Sequence, residues 1–477
     1  MPAATPVAHP PIVLMIFDEL PMASLLGEGG HGVDRRRYPG FARLAVRSTL
    51  FRNATTVADG TFVGVPPILN GRIPRADLKG RSSRRFNVFT LLDPRYAIRS
   101  YEPITRVCPP RICGASRRLL AIDPAAAGRD LPALRLREAR KLIDAIGRGS
   151  RPSATIVHVV LPHVPWRFFP DGREYEVAGS QIPGLGARQV WSSNPQPARL
   201  GLQRHLLQLA YADRFVARAI DRLRRRGLWD RALVVVTADH GASFTPGVPR
   251  RAVTRANFAQ VANVPIFVKL PGQRRGAVSD APAQTVDILP TIAAVTGLGG
   301  GWKLQGHSLT EPHPAITPQV RNGRRAAIVS MGLARFTRER DAWVRRLQGL
   351  YPPGRGALYR AGPNRGLVGR RVAGIDHVGA AGRSATIAGA GALVAGRTAA
   401  GRLPAYISGT LSGVRSGRPL AISVNGRVAA VGASFVQGGL VSYAMIVPPG
   451  SVGHAGNRVS VFEVVGHSRL RRLASAG

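Results

Sequence analysis

The sequence is short of aromatic residues, acidic residues and cysteines, and it contains only four lysines. Phe, Trp and Tyr make up 6% of the 477 residues, and no helix-turn-helix, zinc or stacking-aromatic pattern accompanies them. Proteins that read nucleic acid specifically combine positive charge with such patterns. These shortages therefore argue against a specific nucleic-acid-binding protein.

The scarcity of acidic residues leaves a large excess of positive charge. The chain has 67 basic and 26 acidic residues, so its formal net charge is +41. The arginines are spread over short clusters along the chain rather than gathered in one tail or stripe. Such a field attracts polyanions without specificity, and equally a phosphorylated or sulfated substrate or an anionic membrane surface. We therefore expect an anionic substrate or an anionic membrane surface as partner, and no specific nucleic acid.

The two cysteines, Cys108 and Cys113, are separated by four residues, two of which are prolines. This spacing favours a small disulfide loop, because a zinc site would need further Cys or His ligands nearby. A disulfide indicates an oxidising compartment and an extracytoplasmic or membrane-associated protein. The N-terminus, however, shows neither the basic segment nor the long apolar run of a secretion signal or membrane span. Either the chain is a piece of a longer exported or membrane-tethered protein, or the thiols stay reduced inside the cell.

Apolar patterning predicts an α/β fold for the first two thirds of the chain. Between residue 11 and about 320, short apolar runs alternate with helical stretches, for example 134–146 and 202–226. The run 154–160 follows the first of these stretches, and the run 233–238 follows the second. This order is typical of parallel strands joined by crossover helices.

The end of the chain has a different residue pattern, with few helix formers and short runs in which apolar and polar residues alternate. Residues 420–424 and 427–431 flank the pair Asn425-Gly426, which favours a two-residue hairpin turn. We expect the last strand at 457–464. The predicted domains are an α/β catalytic domain at 11–325, a linker and connecting segment at 326–370, and a β-rich C-terminal domain at 371–477.

Two apolar runs end in side chains that bind metals. The run 11–17 is followed by Asp18 and Glu19, and the run 233–238 is followed by Asp239 and His240. Because the carboxyl ends of parallel strands meet at one edge of a sheet, these four side chains are expected to lie together. Carboxylates and imidazoles are common ligands of divalent cations. The pattern therefore predicts a metal site and an enzyme.

The order of these motifs resembles the sulfatase-like branch of the alkaline phosphatase superfamily. In that family the helix that carries the nucleophile ends in a Leu-x-Gly motif, and the nucleophile lies ten residues before the glycine. The corresponding residue here is Thr61. The resemblance also covers a Pro-His-x-Pro loop at 162–165, and it extends over about three hundred residues in order. It implies an alkaline-phosphatase-like central sheet, mostly parallel and flanked by helices, with Asp18, Glu19, Asp239 and His240 as the metal ligands.

The nucleophile departs from the pattern of true sulfatases. Those enzymes carry Cys or Ser within Cys/Ser-x-Pro-x-Arg and oxidise it to formylglycine, whereas this chain has Thr61-Phe62-Val63-Gly64-Val65. Threonine at this position is similar to phosphoethanolamine transferases and lipoteichoic-acid synthases, which use it to accept a phosphoryl group. The resemblance therefore implies a hydrolase or transferase with a covalent threonine intermediate, acting on a phosphate or sulfate ester of a small molecule, a lipid or a glycan, and it favours phosphate.

A divalent cation suits this chemistry, since a threonine hydroxyl is a poor nucleophile unless its pKa is lowered. Mixed carboxylate and imidazole ligands favour Zn or Mn, although related sulfatases use Ca. His163 is expected to protonate the leaving group or bind the anion, and Arg250 or Arg251 to neutralise charge on the ester.

Other interpretations stay open. Thr61 would also serve as the N-cap of its helix, and Thr55 and Thr56 are alternative nucleophiles. Lys269 is expected to extend along its strand to the sheet edge rather than to contact substrate. A catalytically degenerate family member that binds anionic glycans or lipid headgroups is the alternative function.

Overall fold

The computed structural model describes residues 9–74, 85–119, 130–177, 182–312, 316–323, 325, 327–379, 382–466 and 468–475. The chain forms two compact units. The first consists of Met1–Pro165, Ala212–Ser243 and Arg251–Arg346, and the second of Trp166–Tyr211, Phe244–Arg250 and Leu347–Gly477. Each unit is thus built from separate stretches of sequence, and the continuous domain boundaries given above stay a prediction.

The first unit is built on a seven-stranded sheet. Its order is β4 (Ala97–Tyr101), β5 (Ser153–Pro162), β1 (Ile12–Asp18), β6 (Leu233–Ala238), β7 (Ile266–Lys269), β2 (Thr49–Phe51) and β8 (Ala277–Ser279). The four strands from β4 to β6 run parallel, and β7 is antiparallel to both of its neighbours. Every residue of β1 and β6 is buried, which explains their uninterrupted apolar runs. The predicted, mostly parallel sheet is confirmed.

Two small sheets complete the strands of this unit. They pair β3 (Ala54–Thr55) with β9 (Ala283–Gln284), and β10 (Gln319–Arg321) with β11 (Ile328–Ser330). The core lies between the sheet and its helices, where Leu14, Ile156 and Val235 belong to the same cluster as Ile68 and Ile292.

The described α-helices follow the predicted pattern, with some shifts at their ends. They are α1 (Met22–Leu25), α2 (Pro39–Ala45), α3 (Thr61–Asn70), α4 (Val88–Leu92), α5 (Pro110–Leu119), α6 (Leu131–Asp144), α7 (Pro195–Arg225), α8 (Phe258–Val261), α9 (Ile288–Thr296), α10 (Leu333–Leu350) and α11 (Ala390–Ala395). The long helix α7 begins seven residues before the predicted 202. Within the described residues, no helix combines the length and the apolar character that crossing a bilayer requires.

The second unit contains two mainly antiparallel sheets. The five-stranded sheet has the order β16 (Phe435–Gln437), β17 (Leu440–Ile446), β13 (Tyr406–Ser412), β12 (Ser384–Ala385) and β20 (Ala474–Ser475). The four-stranded sheet has the order β15 (Arg427–Ala433), β14 (Pro419–Val424), β18 (Val459–Val465) and β19 (Arg469–Arg472). The β-rich C-terminal region is therefore confirmed.

The hairpin in this region is also confirmed. Strands β14 and β15 pair around Asn425 and Gly426, whose φ angles of 52° and 76° are those that the turn needs. The expectation that 457–464 is the last strand is wrong, because β19 and β20 follow it. Strand β19 contains three arginines in four residues, and it forms because β18 supplies hydrogen-bonding partners at its edge.

The two cysteines form the predicted disulfide, and both are buried. Glu102 holds the segment before the loop, since its carboxylate oxygens accept hydrogen bonds from the backbone amides of Val107 and Cys108, each at 3.0 Å.

Candidate metal and catalytic site

The ends of β1 and β6 bring the two predicted acidic motifs together. The strands are parallel neighbours, with Phe17 in register with Ala238, so Asp18 and Asp239 leave the sheet side by side. Asp239 Oδ1 accepts hydrogen bonds from the backbone amides of Glu19, at 3.2 Å, and His240, at 2.7 Å. Glu19 has a φ angle of 61°, a strained conformation for a residue with a side chain. One carboxylate thus fixes the backbone of both motifs.

Helix α3 places Thr61 against this edge. Its hydroxyl oxygen lies 3.5 Å from each carboxylate oxygen of Asp18. A Cβ atom at Gly64 would lie 2.8 Å from the carbonyl oxygen of Asp239, so only glycine lets the first turn of the helix approach the end of β6 so closely. Gly60, not Thr61, occupies the N-cap position, and Thr61 is the first helical residue. The structure therefore does not assign Thr61 the N-cap role.

The alternative nucleophiles have other surroundings. The Thr56 hydroxyl donates a hydrogen bond to the carbonyl oxygen of Asp239 at 2.6 Å. Thr55 is buried within β3. Of the three threonines, Thr61 is the one whose hydroxyl has a hydrogen-bond contact with the carboxylates at the strand ends.

Arg251 and His163 both lie beside the carboxylate of Glu19. Arg251 Nε is 3.2 Å from Glu19 Oε1, and its two Nη atoms are 3.2 Å from His163 Nε2 and 3.1 Å from His240 Nε2. His163 Nε2 is also 3.5 Å from Glu19 Oε1. The loop that carries Arg251 is held by Asp59, whose Oδ2 accepts the amide of Val253 at 2.8 Å. One guanidinium thus contacts three of the predicted site residues.

Arg250 has a different place in the fold. It belongs to the second unit, where it is buried and donates from Nη2 to Gln189 Oε1 at 3.0 Å. The structure brings Arg251 into contact with the acidic motif at Glu19. A catalytic role for Arg250 stays a prediction.

His158 was missed by the sequence analysis. It lies on β5, in register with Ile16 of β1, and its Nε2 is 3.5 Å from Asp18 Oδ2. Its side chain is 1% exposed. The signal in the sequence is a histidine inside a short apolar run, and the pairing of β5 with β1 is what brings it to Asp18.

Burial and neighbouring charges set the protonation of this cluster. Burial alone would raise the pKa of Asp18, but the neighbouring imidazoles of His163 and His158 hold that pKa well below its usual range. Burial and the negative charge of Asp18 raise the pKa of Asp239 to about 7. Burial and the positive charge of Arg251 lower the pKa of His240 to about 4. The cluster therefore holds ionised Asp18 beside neutral His240.

The residues present fit a divalent cation. Ligand atoms of Asp18, Glu19 and His240 lie within 4.8 Å of one another, and so do those of Asp18, His158 and Asp239. Asp239 Oδ2 is buried and accepts no hydrogen bond within the described residues. His240 Nδ1 lies 2.8 Å from the carbonyl oxygen of Gly241, so Nδ1 carries the proton. The Nε2 lone pair faces Arg251 Nη2 at 3.1 Å, and a bound cation would take the place of that contact. A divalent cation would balance the adjacent buried carboxylates.

Curated proteins named as sulfatases align with parts of this chain. The ulvan-active sulfatase of Formosa agariphila is 22% identical over 191 residues, which are 39% of this chain and 36% of that protein. The endo-4-O-sulfatase of Bacteroides thetaiotaomicron is 24% identical over 154 residues, which are 31% of this chain and 30% of that protein. The chain thus spans about a third of the length of these relatives.

The structural and family comparisons cover more of the chain. The crystal structure of the phosphonate monoester hydrolase of Agrobacterium radiobacter superposes with a TM-score of 0.51 at 14% identity, covering 71% of this chain and 95% of that one. At this identity the likeness shows a shared fold. The model of the Sulfatase family matches residues 11–298, which is more than half of the chain. The chain therefore belongs to the sulfatase family, as its motifs predicted.

Proposed function

We propose that this protein is a metal-dependent hydrolase or transferase that cleaves a phosphate or sulfate ester through a covalent intermediate on Thr61. The observation that carries the proposal is the position of the Thr61 hydroxyl, 3.5 Å from both carboxylate oxygens of Asp18 at the first turn of α3. This hydroxyl lies beside a buried cluster of carboxylates and imidazoles, which supports the proposal because such surroundings can activate a hydroxyl group.

The bond changes follow from this geometry. A bond forms between Thr61 Oγ1 and the phosphorus or sulfur atom, and the bond to the leaving alcohol breaks. The hydroxyl proton passes to solvent, because the weakly basic carboxylate of Asp18 accepts a hydrogen bond from the hydroxyl group but does not keep the proton. His163, which is 22% exposed and lies beside buried Glu19, would give a proton to the leaving oxygen. Water or a second alcohol then releases the group from Thr61 and restores the hydroxyl.

A bound divalent cation, held by Asp18, Glu19, Asp239 and His240, would lower the pKa of the Thr61 hydroxyl and withdraw charge from the ester. Arg251 supports the same anion from the exposed side, since its side chain is 24% exposed while that of Glu19 is fully buried. Zn, Mn and Ca are the candidate ions.

Phosphate is the favoured ester. Formylglycine arises from Cys or Ser, so Thr61 cannot supply it, while a threonine hydroxyl accepts a phosphoryl group directly. The relatives are named as sulfatases and the protein of similar fold as a phosphonate monoester hydrolase, so both classes of ester need to be tested.

The test is turnover of paired aryl phosphate, phosphodiester and sulfate esters by the metal-loaded protein, with intact-mass detection of an adduct. We expect turnover that Thr61→Ala abolishes and Thr61→Ser partly retains. The control is Thr337→Ala, because that hydroxyl bonds within α10 to the carbonyl oxygen of Ala334 at 3.1 Å. An adduct formed from a phosphate ester but not from a sulfate ester would select phosphate. Full activity of Thr61→Ala would reject the nucleophile, and binding without turnover of any ester would favour the degenerate binding protein.

A further inference from the structure

Phe62 is an exposed aromatic residue in a protein that buries its aromatics. Its relative exposure is 68%. Every other Phe, Tyr and Trp of the chain lies within the described residues and is buried or half-buried. Leaving this ring in water forgoes the favourable free energy that burial gives to the other aromatic side chains.

The exposed ring lies next to the proposed nucleophile. Phe62 is the second residue of α3 and directly follows Thr61, so their Cα atoms are about 3.8 Å apart. Successive side chains of a helix are rotated by about 100°, so the ring stands beside Thr61 rather than behind it. Gly64 packs against Asp239 and Thr61 meets Asp18, which leaves Phe62 on the solvent side of the same turn.

The side chain of Arg251 lies beside the same turn of α3. A Cβ atom at Gly60 would lie 3.8 Å from Arg251 Nη2, and Gly60 is two residues from Phe62. A cation suited to the anionic group and an apolar ring suited to an organic group therefore lie close to Thr61. Helix stability does not require this ring, because acidic or polar residues are the favoured ones in the first turn.

We propose that Phe62 binds the organic group of the substrate ester and selects substrates whose organic group has an apolar face next to the ester. This inference rests on the proposed function, and it defines a substrate class: an anionic ester of an aryl ring, of a sugar with an apolar face, or of an acyl or alkyl chain. Phe62 is a specificity residue that contacts substrate and takes no part in the bond changes.

The test compares methyl, hexyl, phenyl and glucosyl phosphates, or the corresponding sulfates if sulfate is the ester that is turned over. We expect Phe62→Ala to lower the ratio of phenyl to methyl kcat/KM about fivefold, through KM, while Phe62→Tyr keeps the wild-type ratio. Comparing each variant with wild type on the same ester cancels the intrinsic reactivity of the leaving group. Val46→Ala is the matched control, because Val46 is 60% exposed and lies just before β2, at the amino ends of the parallel strands.

The hexyl and glucosyl esters identify which apolar group the ring prefers. An equal loss on the methyl and phenyl esters in Phe62→Ala would overturn the inference, because Phe62 would then act on the helix and not on the organic group. Binding of phenylphosphonate and methylphosphonate to the metal-loaded protein, measured by calorimetry, separates the two proposals. A Phe62-dependent preference for phenylphosphonate without ester turnover would reject the proposed catalysis and keep the ring-binding role. Equal affinities would reject that role even in an active enzyme.

Discussion

Arg251 and Glu19 form an ion pair in which the carboxylate is fully buried and the guanidinium is 24% exposed, with Arg251 Nε 3.2 Å from Glu19 Oε1. Burial alone would lower the pKa of Arg251, but the charge of Glu19 raises it. The same guanidinium approaches His163 and His240. A single cation near the surface therefore orders both the acidic motif and the two imidazoles.

Arg251→Lys is expected to lower kcat/KM about 10- to 100-fold without unfolding the protein. The donors of an ammonium group radiate from one nitrogen, whereas Arg251 contacts Glu19, His163 and His240 through three different nitrogens of its planar guanidinium. Steady-state kinetics on the best ester measures the effect. The matched control is Arg255→Lys, since Arg255 is an exposed arginine four residues further along the chain. Equal effects of the two substitutions would show that only overall charge matters.

Asp239→Asn is expected to shift thermal stability in opposite directions with and without metal. The amide keeps an oxygen for the backbone amides of Glu19 and His240, so the fold is preserved. Without metal, the variant loses the repulsion between buried Asp239 and Asp18 and melts at a higher temperature than wild type. Saturating metal, which at 100 times its Kd stabilises wild type by about 2.7 kcal/mol, stabilises the variant much less.

Thermal melts after chelation and after addition of Zn, Mn or Ca measure both shifts. The ion that stabilises wild type most and restores turnover identifies the metal. If metal stabilised Asp239→Asn as much as wild type, Asp239 would not be a ligand.

The sheet and the position of the acidic motifs were predictable because the central strands are continuous apolar runs that end abruptly in polar pairs. Strands β1 and β6 are buried along their whole length, so their sequences are short continuous apolar runs, a pattern typical of central parallel strands. The edge strands β19 and β20 carried no such signal. They are short and largely exposed, and their conformation depends on pairing with another strand, β18 for β19 and the distant β12 for β20.

The rest of the site depended on contacts that a single sequence does not reveal. His158 resembles an ordinary core histidine until the register of β5 against β1 brings it to Asp18. Arg250 and Arg251 are equivalent as neighbours in the sequence, and only their tertiary partners, Gln189 and Glu19, distinguish them.

Removal of the disulfide is expected to lower the free energy of unfolding by about 2 kcal/mol. Cys108 and Cys113 close a short loop, and the entropy that such a loop removes from the unfolded chain is small. Denaturant unfolding of wild type with and without reductant measures the change. The Cys108→Ser, Cys113→Ser double variant is the control, and it is expected to match reduced wild type and to be insensitive to reductant. A reductant effect that persisted in the double variant would contradict the assignment.

Lys269 gives a stability prediction with a defined pH dependence. The expectation that its side chain extends to the sheet edge is wrong. Lys269 is fully buried, and its Nζ donates to the carbonyl oxygens of Trp229, Asp230 and Ala232 at 2.6, 2.9 and 3.1 Å. Burial lowers its pKa to about 8, from 10.5 in the unfolded chain. Between these values the folded protein binds fewer protons than the unfolded chain, so the contribution of Lys269 to the free energy of unfolding increases with pH.

Lys269→Met removes this contribution. We therefore expect the substitution to be more destabilising at pH 10.5 than at pH 7.5, by about 2–3 kcal/mol, since each unit of pKa shift corresponds to about 1.4 kcal/mol. Urea unfolding of both proteins at the two pH values measures the difference. The other titratable groups are the same in wild type and variant, so their contributions cancel in the comparison. Lys141→Met is the control, because that ammonium is 59% exposed and pairs with Glu138 on α6. A destabilisation that did not change with pH would mean that the three carbonyl oxygens hold the ammonium form as firmly as water does.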